Sequence, residues 1–318
     1  MEELTRENYY DSSYVSNSSL NWILPETGGS PKKYEYFSTH PQAELDSEAI
    51  RLGKLIHLYV EKKTFDVFQI CSVPSPSIKA VCDLILEMGK GITNENILEA
   101  ANKLDYQKSW KPETKIQKIL DEGLGYMASI ETAKANGKTL VSFEELSKLQ
   151  LIGEEIKNAV PELFESSTSE KYILNEHPIK FLYFGENEVQ CKALIDAIVV
   201  NESTNTATIY DIKTSNVPNS IYLGYNDAEI QDGKLVLKPV EGTYIKRNVH
   251  RQMAFYKLAY ESKWTSHKVE CKIIAVETNA PYEVSVKKLT DETLKLGMYK
   301  IQLAMSLLEH NKLVGYDL

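Results

Sequence analysis

The chain has 318 residues, 42% of them hydrophobic and 25% charged, a composition that supports a sizeable soluble core in one large domain or two. A net charge of -9 and a pI near 5.4 argue against a surface that is basic throughout, so any phosphate-binding cations must be local. The four cysteines, Cys71, Cys82, Cys191 and Cys271, show no paired or metal-ligand spacing and read as free thiols of a reducing compartment. No apolar run approaches the length of a membrane span, and the acidic, polar N-terminus lacks the pattern of a signal peptide.

Residues 1–45 read as an N-terminal strap with one short helical turn over 20–24, and Ser30 with Pro31 marks the start of a further helix. On composition alone this strap simply packs against the domain. Residues 47–62 follow as an amphipathic helix capped by Ser47 or Asp46, with Leu52, Leu55, Ile56 and Tyr59 on its apolar face. It carries His57, and Gly53 one turn earlier. A mid-helix glycine costs about 1 kcal/mol relative to alanine, so Gly53 predicts a close approach to the backbone. His57 taken alone is more often a hydrogen-bonded helix histidine than a ligand.

The pattern over 76–164 predicts an almost wholly helical region, with Ser142 and Glu145 forming a capping box before its last helix. Lys108, Trp110, Lys111 and Lys115 in this region read as a solvated face. After Pro161 the period changes. Strands are predicted over 172–178, 179–185 and 189–200, with Glu176 in the first of them. Residues 194–214 form a hairpin whose two β-branched runs flank a polar turn. Asp196 lies inside the first run. Asp211 and Lys213 end the second, and the two-residue step of a strand gives them one face. On the residues alone this trio is equally a strand-edge ion-pair cluster or a metal site.

Residues 216–242 form a long connection in which Asp232-Gly233 signals a small hairpin. A helix over 248–263 sets Gln252 and Tyr256 on one face, with Lys246, Arg247, His250 and Arg251 as a basic entrance at its N-terminal end. Strands over 271–277 and 281–287 and a helix over 291–310 complete the chain.

The ordered set Asp196, Asp211-Ile212-Lys213 and Gln252-Met253-Ala254-Phe255-Tyr256 resembles the D…(D/E)xK…QxxxY pattern of PD-(D/E)XK nucleases, in the branch of the exonuclease VIII (RecE-like) proteins of phages and prophages. The segments YVSNSSLNWIL, AIRLGKLIHLYV with His57, GKTLVSFEEL and the strand bearing Glu176 extend the resemblance from about Tyr14 to about His310. Two departures stand out: 15 residues separate Asp196 from Asp211, and the insertion after Lys213 is long.

The resemblance implies a single α/β nuclease domain over 1–318, a mixed central sheet flanked by helices, with the large helical region over 76–164 and the core over 165–318 taking in the His57 helix. It implies a metal-dependent exodeoxyribonuclease that hydrolyses double-stranded DNA from 5′ ends and leaves 3′ single strands for an annealing recombinase. Asp196, Asp211, Lys213 and Glu176 would be catalytic. His57, Asp196, Asp211 and the backbone carbonyl of Ile212 would hold Mg²⁺, with Mn²⁺ able to substitute. Gln252, Tyr256, Lys246, Arg247 and Arg251 would contact DNA. It further implies a closed ring of subunits, no iron–sulfur cluster, no membrane, and a phage- or prophage-encoded protein in a bacterial cytoplasm. A single-strand or nick-directed DNA endonuclease with the same core, and a catalytically silent DNA-binding or assembly module, are the alternatives.

Overall fold

The structure is a computed structural model that describes residues 4–6, 8–10, 13–40, 47–185, 188–231 and 234–313. In chain order its elements are α1 (Pro31–Thr39), α2 (Glu48–Lys62), β1 (Phe68–Cys71), α3 (Pro76–Met88), α4 (Asn94–Lys103), α5 (Pro112–Ala135), β2 (Thr139–Ser142) and α6 (Phe143–Ala159). They continue with β3 (Lys171–Phe184), β4 (Glu188–Asn201), β5 (Thr206–Ser215), α7 (Asn219–Leu223), β6 (Gly224–Gln231), β7 (Lys234–Glu241), α8 (Thr243–Lys246), α9 (Val249–Glu261), β8 (Lys268–Glu277), β9 (Val284–Lys288) and α10 (Asp291–Leu313). Two compact units result, one of residues Lys62–Leu151 and one of Met1–Glu61 with Ile152–Leu318.

The smaller unit packs α3, α4 and α5 around Ile78, Val81, Cys82, Ile97, Ile119 and Met127. A Cβ on Gly123 would meet the Cys82 sulfur at 2.4 Å, so only glycine lets α5 lie that close to α3. Within the region expected to be almost wholly helical lies β2, which pairs with β1 as a short parallel pair. Four-residue strands leave too little period to read. The Ser142–Glu145 box is closed in both directions: the Glu145 N–H donates to Ser142 Oγ and the Ser142 N–H to Glu145 Oε2.

The larger unit is built on a five-stranded mixed sheet of order β3-β4-β5-β8-β9, flanked by helices. Three neighbouring pairs are antiparallel and β5-β8 is parallel. The expected hairpin is β4-β5. The strands expected over 172–178 and 179–185 are one strand, because Pro178 lies on the sheet edge, where a missing N–H costs no ladder bond. α9 packs across β3, β4, β5 and β8, burying Met253, Phe255 and Ala259 against Ile195, Ile198 and Ile209. Each of the larger of these side chains contributes about 1.5–3 kcal/mol when fully buried. α10 covers α9, and Gly297 permits the contact, since a Cβ there would meet the His250 carbonyl oxygen at 2.5 Å. β6 and β7 pair as the expected hairpin, with Asp232 and Gly233 outside the described residues, as is Asp46; Ser47 Oγ accepts from the Ile50 N–H at 3.3 Å. All four cysteines are free and buried. Among the described residues no helix is long and apolar enough to cross a membrane.

Candidate active site

Strand register gathers the candidate residues. Asn175 pairs with Ala197, and Ala197 with Tyr210, so the next rung holds Glu176, Asp196 and Asp211 on three adjacent strands. Side chains on one rung share a face of the sheet. Backbone pairing is interrupted at this level. The β4-β5 ladder ends at Ala197–Tyr210, and the β3-β4 ladder skips Glu176. Glu176 also has φ +44°, a left-handed conformation that costs a non-glycine residue about 1–3 kcal/mol.

The gap is used. The Ile212 N–H donates to Asp196 Oδ2 at 2.8 Å instead of to a strand partner. In a strand, N–H and C=O of one residue face the same edge, so the Ile212 carbonyl also faces this gap. From α2, His57 Nδ1 lies 3.7 Å from both Glu176 Oε1 and Asp196 Oδ2. Ligand atoms of His57, Glu176 and Asp196 lie within 4.8 Å of one another. Thr214 explains Gly53: a Cβ on that glycine would stand 3.2 Å from Thr214 Oγ1 at the end of β5.

Asp211 has no solvent exposure. Its Oδ1 accepts from Lys213 Nζ at 2.7 Å, the same-face pairing expected of a two-residue step, while its Oδ2 is buried with no hydrogen-bond partner among the described residues. Burial, opposed by Lys213 and reinforced by Asp196, raises the Asp211 pKa to about 6. Burial would lower the Lys213 pKa, yet Asp211 and Asp196 outweigh it and hold the ammonium charged. For His57, burial again opposes the charge, but Asp196 and Glu176 prevail and raise the pKa to about 9.

Gln252 and Tyr256 line this face as a bonded pair, Gln252 Nε2 donating to the Tyr256 hydroxyl at 2.7 Å. Tyr256 is buried, and burial, then Asp196 and Asp211, raise its pKa well above the ordinary value. Arg247 is exposed and stands 5.7 Å from the ring centre of Tyr222, a buried tyrosine that feels both Lys213 and Asp211. Lys246 is also exposed.

The basic entrance shrinks to those two cations. Arg251 is 1% exposed and is not a surface contact. Its Nε donates to Asn17 Oδ1 at 3.0 Å, and its Nη2 donates to the Asn17 carbonyl and to Asn21 Oδ1 at 3.1 and 2.7 Å, fixing the strap. His250 is buried beside it. Sequence reading also passed over Glu61, whose position one helical turn after His57 was the available signal, and Arg6, which pairs with Glu61 and for which no local signal exists.

No family model matches the chain, and no curated protein matches it. Among solved structures it is similar to the crystal structure of a "putative exonuclease" from Eubacterium rectale, with 13% identity, a TM-score of 0.52, and coverage of 97% of this chain and 86% of that one. The likeness speaks to the fold. With a mixed central sheet, flanking helices and the D…DxK residues on adjacent strands, the fold is of the PD-(D/E)XK type.

Proposed function

We propose that the chain is a metal-dependent nuclease that hydrolyses phosphodiester bonds of DNA, acting as an exonuclease on double-stranded ends. One observation carries this reading: Asp211, wholly buried, offers one oxygen to Lys213 and keeps the other unpartnered, on the rung that brings Glu176 and Asp196 to His57. An unpaired buried carboxylate oxygen beside further carboxylates is costly unless a cation joins it. The donor set of carboxylate oxygens, one imidazole and one backbone carbonyl suits Mg²⁺ or Mn²⁺. His57, Glu176, Asp196, Asp211 and the Ile212 carbonyl would hold it. When bound, the ion supplies Lewis-acid neutralisation of the charge that develops on the phosphate.

Lys213 does the rest of the charge work. Its ammonium is pinned by Asp211, so it is ready to orient the attacking water and to stabilise the added negative charge in the transition state. Gln252 donates to the hydroxyl of Tyr256, a ring that feels the charge of Asp196 and Asp211. Arg247 and Lys246 offer phosphate contacts at the rim.

The finer form of the proposal follows the sequence resemblance: attack from 5′ ends, a 3′ strand left for an annealing protein, and a ring of subunits. The exonuclease name of the structural neighbour agrees with end-directed attack. The decisive experiment digests a linear duplex labelled at either end, and a closed circle, with Mg²⁺ or with EDTA. Mg²⁺-dependent release from the 5′-labelled end with the circle left intact is expected. Cutting of the circle would make the enzyme an endonuclease, and no cleavage of any DNA would overturn the proposal.

A further inference from the structure

Two exposed side chains of the strap take no part in the proposed chemistry: Arg6, which feels the charge of Glu176, and Tyr10, which lies near Arg6. The Arg6 side chain is 47% exposed, and its Nη1 lies 2.7 Å from Glu61 Oε1. Glu61 shares its helix face with His57. The Glu61 backbone carbonyl accepts from Asn175 Nδ2 at 3.3 Å, and Asn175 immediately precedes Glu176. Arg6 is therefore tied, through one turn of α2 on one side and one residue of β3 on the other, to two members of the candidate metal set. Burial lowers its pKa, but Glu61, then Glu176 and Tyr10, hold it above the ordinary value.

Tyr10 is 78% exposed and meets the ring of Tyr9 edge-on, with centroids 5.3 Å apart and planes at 85°. Tyr9 is fixed from β4. Lys192 Nζ donates to its backbone carbonyl at 2.6 Å and lies 4.7 Å from its ring centre, four residues before Asp196. A single exposed tyrosine needs no explanation, and a partly exposed ion pair contributes little stability. Their coincidence is another matter: a guanidinium able to grip phosphate and a braced, exposed ring able to stack on a base stand within five residues, at the edge of a site for phosphodiester chemistry.

We infer that the strap is part of the DNA-binding surface, with Arg6 taking a phosphate that flanks the scissile one and Tyr10 stacking on a neighbouring base. This rests on the nuclease reading. Glu61 holds Arg6 in the absence of DNA and yields it to phosphate.

The test measures anisotropy of a fluorescein-labelled short DNA duplex with the full-length Asp211→Asn chain, in Mg²⁺, over a range of salt concentrations. Adding Arg6→Ala should weaken binding about tenfold and lower the slope of log K against log salt by about one. Adding Tyr10→Ala should weaken it about fivefold with the slope unchanged. Tyr10→Phe and Arg6→Lys, which keep the ring and the charge, should recover most of the loss and so exclude a folding defect. Binding within twofold of the parent for both alanine variants, or no recovery with Phe and Lys, overturns the inference. Wild-type cleavage is measured alongside. If it is normal while the variants bind like the parent, the strap inference alone falls; if wild type neither binds nor cuts DNA, the nuclease reading falls and takes this one with it.

Discussion

Two of the charged side chains buried in the larger unit, Asp211 on β5 and Arg251 on α9, are treated in opposite ways. Arg251 is solvated by neutral groups, the side chains of Asn17 and Asn21 and one backbone carbonyl, all from the strap. Asp211 instead shares its rung with two further carboxylates and has one ammonium against them, with distorted backbone at Glu176 and an opened ladder at Asp196. The first fastens the strap, with Nη1 left buried and without a hydrogen-bond partner among the described residues. The second sets three carboxylates against Lys213 and His57, the arrangement that the proposed metal ion would complete.

If that contrast is right, the two centres should fail differently. Asp211→Asn should cut the cleavage rate roughly a thousandfold, because it removes a cation ligand and the anchor of Lys213, while the metal-free protein melts no lower than wild type. Arg251→Met should do the reverse, costing about 3 kcal/mol of stability in thermal or urea unfolding while cleavage per folded molecule persists. Abolished cleavage with unchanged melting in Arg251→Met would erase the distinction.

Metal linkage sharpens it further. At Mg²⁺ near a hundredfold its dissociation constant, wild type should gain about 2.7 kcal/mol over its EDTA form, and Asp211→Asn clearly less. Calorimetry with and without EDTA reads this directly. The smallest effect concerns the structural centre. His250 is wholly buried with neither ring nitrogen partnered among the described residues, and burial, then Lys300 and Arg251, lower its pKa to about 4 against the opposing Glu26. A histidine whose folded pKa is depressed is neutral in the native state, so its contribution is intact above about pH 6.5 and is lost as pH falls toward 4. His250→Phe should flatten the melting temperature relative to wild type across that window. Parallel curves for the two proteins would show that His250 is not the buried titrating group.

The hairpin and the Asp211–Lys213 pairing were legible because both follow from period two and β-branched composition over a few residues. The helix of His57 was legible from its helical apolar face, and the close contact at Gly53 from the cost of a glycine inside a helix. The misreading of Arg251 has a physical origin. Its place beside His250 at a helix start looks like an exposed basic cluster, and only the strap, more than 200 residues earlier in the chain, turns that surface inward. Glu176 could be assigned to a strand, but its left-handed backbone and its place on one rung with Asp196 and Asp211 belong to the assembled sheet and not to its local sequence. Tertiary structure decided both cases, and no local pattern encodes it.

The strap has one more consequence, drawn from its backbone. Val15 forms a bridge with Cys191, its N–H donating to the Gln190 carbonyl and its carbonyl accepting from the Lys192 N–H, at the stretch of β4 that lies beyond its pairing with β5. A chain shortened past Val15 would expose that run of unpaired amides and carbonyls beside Val189, Cys191 and Ala193. Such an edge recruits strands from other molecules. Loss of solubility through intermolecular β-pairing is thus the expected fate of the shortened chain, ahead of any loss of catalytic residues.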